Sequence, residues 1–147
     1  MFRDNDLILS DGQDNLRANG AFASTKFIDL EELARWGVDG RFNIIVQIDT
    51  VFAGAGTIQC FFRALSSVTG DVLERTAPVN VGSKTFSNAE IKVAGTQKIW
   101  AITPEDRFRG IDINYTVAGG ALTLGTVSAW ISTATEGYNQ VKSGFSI

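Results

Sequence analysis

Most enzymes working near neutral pH rely on histidine as general base, and this 147-residue chain contains none. That absence removes the Ser-His-Asp triad and every histidine-based zinc site. A serine or cysteine nucleophile would then need a lysine or N-terminal base, and neither a G-x-S-x-G elbow nor an S-x-x-K motif occurs. Cys60 is the sole cysteine, so no intrachain disulfide and no cysteine-only metal site can form. It alternates with Ile58 and Phe62 and reads as a small buried hydrophobe. Carboxylates remain: Glu105, Asp106 and Asp112 are nominal partners for a glycosidase pair, but no pattern selects them. Neighbouring acids such as Glu31 and Glu32 read as solvated. Asp4, Asp6, Asp11 and Asp14 offer oxygen ligands without the acid, glycine and distal glutamate order of a calcium loop. Gly54-Ala55-Gly56 precedes a strand instead of opening a helix, so it reads as a turn and not a phosphate cradle. The Asn114-Tyr115-Thr116 sequon falls inside a predicted strand and is read as a chance match. The expectation is a protein that is not an enzyme and carries no cofactor and no metal.

Charge narrows the partners. A net charge of −3 and a pI near 4.9 argue against a phosphate-neutralising nucleic-acid binder. Arg107 and Arg109 are the one local basic pair, read as a surface feature. Trp36, Trp100, Trp130, Phe61 and Phe108 are read as core or interface aromatics, not as base-stacking platforms. The most apolar stretch, residues 118–131, is broken by Gly119, Gly120 and Gly125, whereas a membrane span needs about 20 apolar residues. The start, Met1-Phe2-Arg3-Asp4-Asn5-Asp6, places acids where a secretion signal has bases. No nucleic acid, no membrane and no export are expected.

Stepping from residues to elements, 44% hydrophobic and 20% charged residues suit one folded domain over residues 1–147. Ile111, Ile113, Tyr115 and Val117 alternate with Asp112, Asn114 and Thr116. Beyond Gly119-Gly120, Val127, Ala129 and Ile131 alternate with Ser128, Trp130 and Ser132. These two runs are predicted to form a hairpin. A second pair of strands is predicted at residues 42–50 and from Thr57 to Leu65, where Ile58, Cys60, Phe62 and Ala64 share a face. The opposite face carries Phe61 and Leu65, which suggests cover by a loop or partner. Weaker strands are expected at residues 6–10, 26–29, 72–76, 89–93 and 98–102. One short helix is predicted at residues 30–36, capped by Asp29 with Glu32 three residues on and stopped at Gly37. It is read as closing one end of the domain, with Trp36 as the alternative interface anchor. The fold class is therefore an all-β antiparallel sandwich or jelly roll of about eight or nine strands with one short helix. The N-terminal segment 1–13 and the polar tail 133–147, with spaced Tyr138, Val141, Phe145 and Ile147, are expected as docking arms.

The run Arg107-Phe108-Arg109-Gly110-Ile111-Asp112-Ile113-Asn114-Tyr115-Thr116-Val117-Ala118-Gly119, followed by Leu124-Gly125-Thr126-Val127-Ser128-Ala129, resembles the C-terminal part of a tailed-phage capsid cement (decoration) family. The best-known member of that family comes from a Bordetella phage. Asp6-Leu7-Ile8-Leu9-Ser10-Asp11-Gly12-Gln13, Ile28-Asp29-Leu30, Ile45-Val46-Gln47 and Phe52-Ala53-Gly54 extend the resemblance in the family's order over about half the chain. Residues 68–95 show no match, the helix at 30–36 is longer than the family's loop, and the tail at 138–147 is particular to this chain.

The resemblance implies a jelly roll on the outer surface of an icosahedral head that bridges major capsid proteins and stabilises the mature capsid. It would be made in the host bacterial cytoplasm and reside in the virion. The partners implied are the major capsid protein and a second copy of the chain, a homodimer being favoured over a trimer. Contacts are expected from Phe2, Leu7, Leu9, Trp36, Phe108, Phe145 and Ile147. The alternative from another class is a carbohydrate- or receptor-binding jelly-roll module, which an exposed Trp36 or Trp100 beside Asp and Asn would favour. A hydrolase ranks third and would need two facing carboxylates in a closed pocket.

Overall fold

Period-two alternation is the dominant structural signal in this chain, and the computed structural model, which describes residues 8–29, 42–102 and 109–133, realises it as strands. In chain order these are β1 (Ile8–Gln13), β2 (Gly20–Ala23), β3 (Ile28–Asp29), β4 (Phe42–Thr50), β5 (Ala53–Gly54), β6 (Thr57–Leu65), β7 (Val68–Thr69), β8 (Val72–Leu73), β9 (Val79–Phe86), β10 (Gln97–Ile102), β11 (Gly110–Ala118), β12 (Leu122–Thr123) and β13 (Thr126–Thr133). One sheet has the order β1-β13-β4-β10; the other has β2-β11-β6-β9, with β3 continuing the line of β2 along β11. All pairings are antiparallel.

The hydrogen-bonded pairs nest: β6 with β9, β4 with β10, β2 with β11 and β1 with β13, alternating between the two sheets. A long antiparallel ribbon pinned at β6 and β9 and rolled on itself produces this order, which is a jelly roll. Its rolling also corrects the expected hairpin. β11 pairs with β6 while β13 pairs with β4, so the two strands flanking Gly119-Gly120 lie in opposite sheets. β4 and β6 are likewise separated. The linkers do not turn back within a sheet; they cross between layers, and β12 in one pairs with β5 in the other, Leu122 opposite Gly54.

The faces predicted as apolar are the ones that meet. Ile44, Val46 and Ile48 of β4, with Val127, Ala129 and Ile131 of β13, face Ile58, Cys60 and Phe62 of β6 and Ile111, Ile113, Tyr115 and Val117 of β11, all in one buried cluster. Each large aliphatic side chain buried this way contributes roughly 1.5–3 kcal/mol before the entropy of ordering it is subtracted. Trp100 of β10 stacks on Phe62 with ring centroids 5.0 Å apart.

Inside this core runs one polar chain. Ser10 Oγ donates to Gln13 Oε1 at 2.8 Å, which leaves the Tyr115 hydroxyl as donor to Ser10 at 2.9 Å. Gln13 Oε1 also accepts from the Thr25 amide, while its Nε2 donates to Asn15 Oδ1 and the Ala23 carbonyl. The network ties β1 to β11 and to the β2–β3 turn with no wasted donor on the glutamine.

Three further expectations need revision. Residues 89–93 are not a strand: Glu90–Lys92 form a 3-10 turn. The Ser87 amide donates to Glu90 Oε1 and the Glu90 amide donates to Ser87 Oγ, the reciprocal exchange of a capping box. β2 and β9 were not anticipated, because both are edge strands whose exposed residues carry little apolar alternation. Strands expected at residues 26–29 and 72–76 shorten to β3 and β8, while β1 and β10 occupy 8–13 and 97–102. The helix expected at residues 30–36 lies outside the described residues.

Candidate docking surface

Of the residues expected to touch a partner, only Leu9 is described, and it is fully buried in the core. Its backbone carbonyl accepts from the Lys26 amide and from Thr25 Oγ1. Leu9 is therefore a packing residue, corrected because the strand register turns it inward. The same holds for part of the expected N-terminal arm, since Ile8–Gln13 form β1, bonded along β13. Phe2, Leu7, Trp36, Phe108, Phe145 and Ile147 lie outside the described residues. Trp100, weighed as a sugar platform, is half-buried against Phe62 and has no free ring face on that side.

Topology sorts the linkers into two ends. At one end sit the linkers 14–19, 51–56, 87–96 and 119–125, all described. At the other sit 66–71 and 74–78, together with the points from which residues 1–7, 30–41, 103–108 and 134–147 depart.

The first end is bonded throughout. The Leu122 amide donates to the Arg17 carbonyl at 2.6 Å, and Gly120 N donates to Asn19 Oδ1 at 3.2 Å. Asn88 Nδ2 donates to the carbonyls of Gly54 and Gly56 at 3.0 and 2.7 Å. The Phe52 amide donates to Ile91 at 3.0 Å, and Gly95 N donates to Ile48 at 2.7 Å. Gly125, at φ +81°, lies flat on the buried Phe52 ring, where any β-carbon would overlap the ring. Four crossing linkers thus form one preorganised surface.

The outer face of the β6–β11 sheet is locked differently. Asp112 is completely buried and its carboxylate accepts from Arg63 Nε at 2.8 Å, Arg63 Nη2 at 2.6 Å and Arg75 Nε at 2.9 Å. Arg75 Nη2 reaches on to the carbonyls of Ser24 at 2.5 Å and Lys26 at 3.2 Å, and its guanidinium lies 5.2 Å from the Phe27 ring. This is a structural clamp between β11, β6, the chain after β8 and the β2–β3 turn. Sequence gave no sign of it, because Asp112 and its partners are 49 and 37 residues apart.

Titration adds little chemistry. Burial pushes the Cys60 thiol and the Tyr115 phenol well above their usual ranges, so neither ionises near neutral pH. The Lys98 ammonium bonded to Glu90 at 2.7 Å holds that carboxyl below its usual value. Among the described residues no group of three or more His, Cys, Asp or Glu side chains converges to hold a metal ion.

No curated protein matches the chain. The Bbp16 family profile, by contrast, matches residues 9–131, from the first strand of the sandwich to the last. With the jelly-roll order and this match over most of its length, the chain belongs to the Bbp16 family, a name that suggests a Bordetella phage protein.

Proposed function

We propose that the protein is a capsid cement protein, which binds the outer surface of a tailed-phage head, bridges neighbouring major capsid proteins and stabilises the mature capsid. The observation that carries this reading is the Bbp16 family match over residues 9–131. The fold supports it: a rigid jelly roll with a preorganised end and, opposite, the points from which both chain termini depart suits a molecule that spans a seam between two subunits. Its action needs no reacting group. A ligand that binds only the closed lattice stabilises that lattice by mass action, and symmetric copies multiply modest contacts through avidity. In this reading it is made in the host bacterium, resides on the virion exterior and associates with itself, as a homodimer in preference to a trimer.

The test is reconstitution. Heads purified without the protein are mixed with it, pelleted and heated. The reading expects retention on mature heads and a higher temperature of DNA release. Failure to bind, or binding without added heat resistance, would overturn it.

A further inference from the structure

At the preorganised end one residue is placed against the interest of the fold. Leu124 has a φ of 57° and is 69% exposed. Left-handed backbone is strained for a residue with a β-carbon, and glycine or asparagine is the ordinary occupant. A leucine there accepts the strain and recovers nothing from burial. Val51, 41% exposed, directly follows β4, while Leu124 and Val93, the latter 58% exposed, lie in the linkers that enter β13 and β10, the strands bordering β4 on its two sides. Strain maintained at an exposed apolar loop tip is a mark of a binding element.

The charges at this end are also unspent. Arg17 donates to the carbonyls of Leu16 and Gly125, both at 3.2 Å, and Lys92 Nζ donates to the carbonyl of Gly54 at 2.8 Å. Neither has a carboxylate partner among the described residues. Of the acids of the same end, Glu90 takes Lys98 and Asp49 accepts from Ser128 and Gln47, which leaves exposed Asp14 as the one carboxylate against these two cations. In a chain of net charge −3, two cations flanking an apolar tip and held only by carbonyl oxygens complement an acidic rim.

Resting on the cement reading, we propose that Leu124, flanked by Val51 and Val93, inserts into an apolar pocket of the capsid surface whose rim carries carboxylates that Arg17 and Lys92 meet. This end is then a capsid-facing end, independent of any contact made by the arms.

The experiment compares binding of wild-type, Leu124→Gly, Lys92→Gln and Val72→Ser proteins to purified heads lacking the protein, with thermal unfolding of each. Val72 is 65% exposed at the opposite end and serves as the apolar control. Leu124→Gly should unfold at the same or a higher temperature, because glycine relieves the strain, yet bind about tenfold more weakly or worse. Lys92→Gln should bind several-fold more weakly and with a shallower salt dependence, and Val72→Ser should bind as wild type. Equal affinity of Leu124→Gly and wild type, a lower unfolding temperature for Leu124→Gly, or a loss confined to Val72→Ser would each overturn the proposal. Heads that retain no wild-type protein would overturn the cement reading itself, and this docking mode with it.

Discussion

Replacing Asp112 by asparagine probes the clamp on the outer face of the β6–β11 sheet. The carboxylate accepts three guanidinium hydrogen bonds at 2.6–2.9 Å while fully buried. Asparagine preserves the shape but offers one acceptor, and its amide nitrogen then faces a guanidinium N–H, donor against donor. A hydrogen bond to a charged group contributes roughly 1.5–3 kcal/mol net; an amide oxygen in the place of Oδ2, which accepts two of the three, loses the Arg63 Nε bond and leaves the other two without a carboxylate charge. The Arg63 and Arg75 side chains remain 17% and 29% exposed, so water recovers part of their solvation. The net cost expected is about 3 kcal/mol, below the upper range for breaking a wholly buried pair. For a domain of this length that corresponds to a fall in Tm of roughly 6–12 °C. Urea unfolding followed by tryptophan fluorescence measures it as a lower midpoint at unchanged slope. An Arg75→Ala cycle should show that the two losses are not additive. A loss under about 1 kcal/mol, or strict additivity, would refute the claim that ionic bonding and not packing closes this face.

Four other outcomes follow from the same physics. Gly125→Ala should cost about 2–3 kcal/mol in urea unfolding, since a β-carbon there overlaps the Phe52 ring at a left-handed backbone position. Tyr115→Phe should cost about 1 kcal/mol, the donor to Ser10 being lost while Ser10 keeps Gln13. Cys60 should resist a thiol reagent at pH 8 in the folded protein and react stoichiometrically in denaturant, because burial raises its pKa and blocks access. The lowered pKa of Glu90 means that its bond to Lys98 contributes stability above the unfolded value of 4.5 and loses it as pH falls through the folded value; Lys98→Met should flatten that part of the stability profile, read by urea midpoints between pH 3 and 6.

Faces were legible in the sequence and partners were not. Alternation in residues 44–48, 58–62, 111–117 and 127–131 identified which side chains point inward, and all of those fall in one buried cluster. Alternation carries no information on which strand lies alongside, and a glycine between two alternating runs marks a change of direction in a hairpin and in a sheet-to-sheet crossing alike. Alternation therefore suggests pairing β11 with β13, whereas they lie in separate sheets of the fold. β9 escaped notice because an edge strand needs no buried face along its length: Val79 is 62% and Val81 39% exposed, and only Phe86 is buried. Trp130 and Ile45 show the reverse, buried on the face where alternation predicts exposure.

The candidate docking surface is less legible than the core for a related reason. Leu9 looked like a contact because it is apolar and near the N-terminus, yet the register of β1 on β13 puts it inside. Leu124 was visible only as part of a family-like run. Its significance depends on a backbone angle, and a leucine preceding a glycine was the single cue present in the residues themselves.

The central claim is a position on a particle, and cryo-electron microscopy of phage heads with and without the protein tests it most directly. The account predicts jelly-roll density on the outer surface of mature heads, lying across seams between major capsid proteins and absent from heads made without it. Density inside the shell, density only at the tail, or identical heads in the two preparations would contradict it.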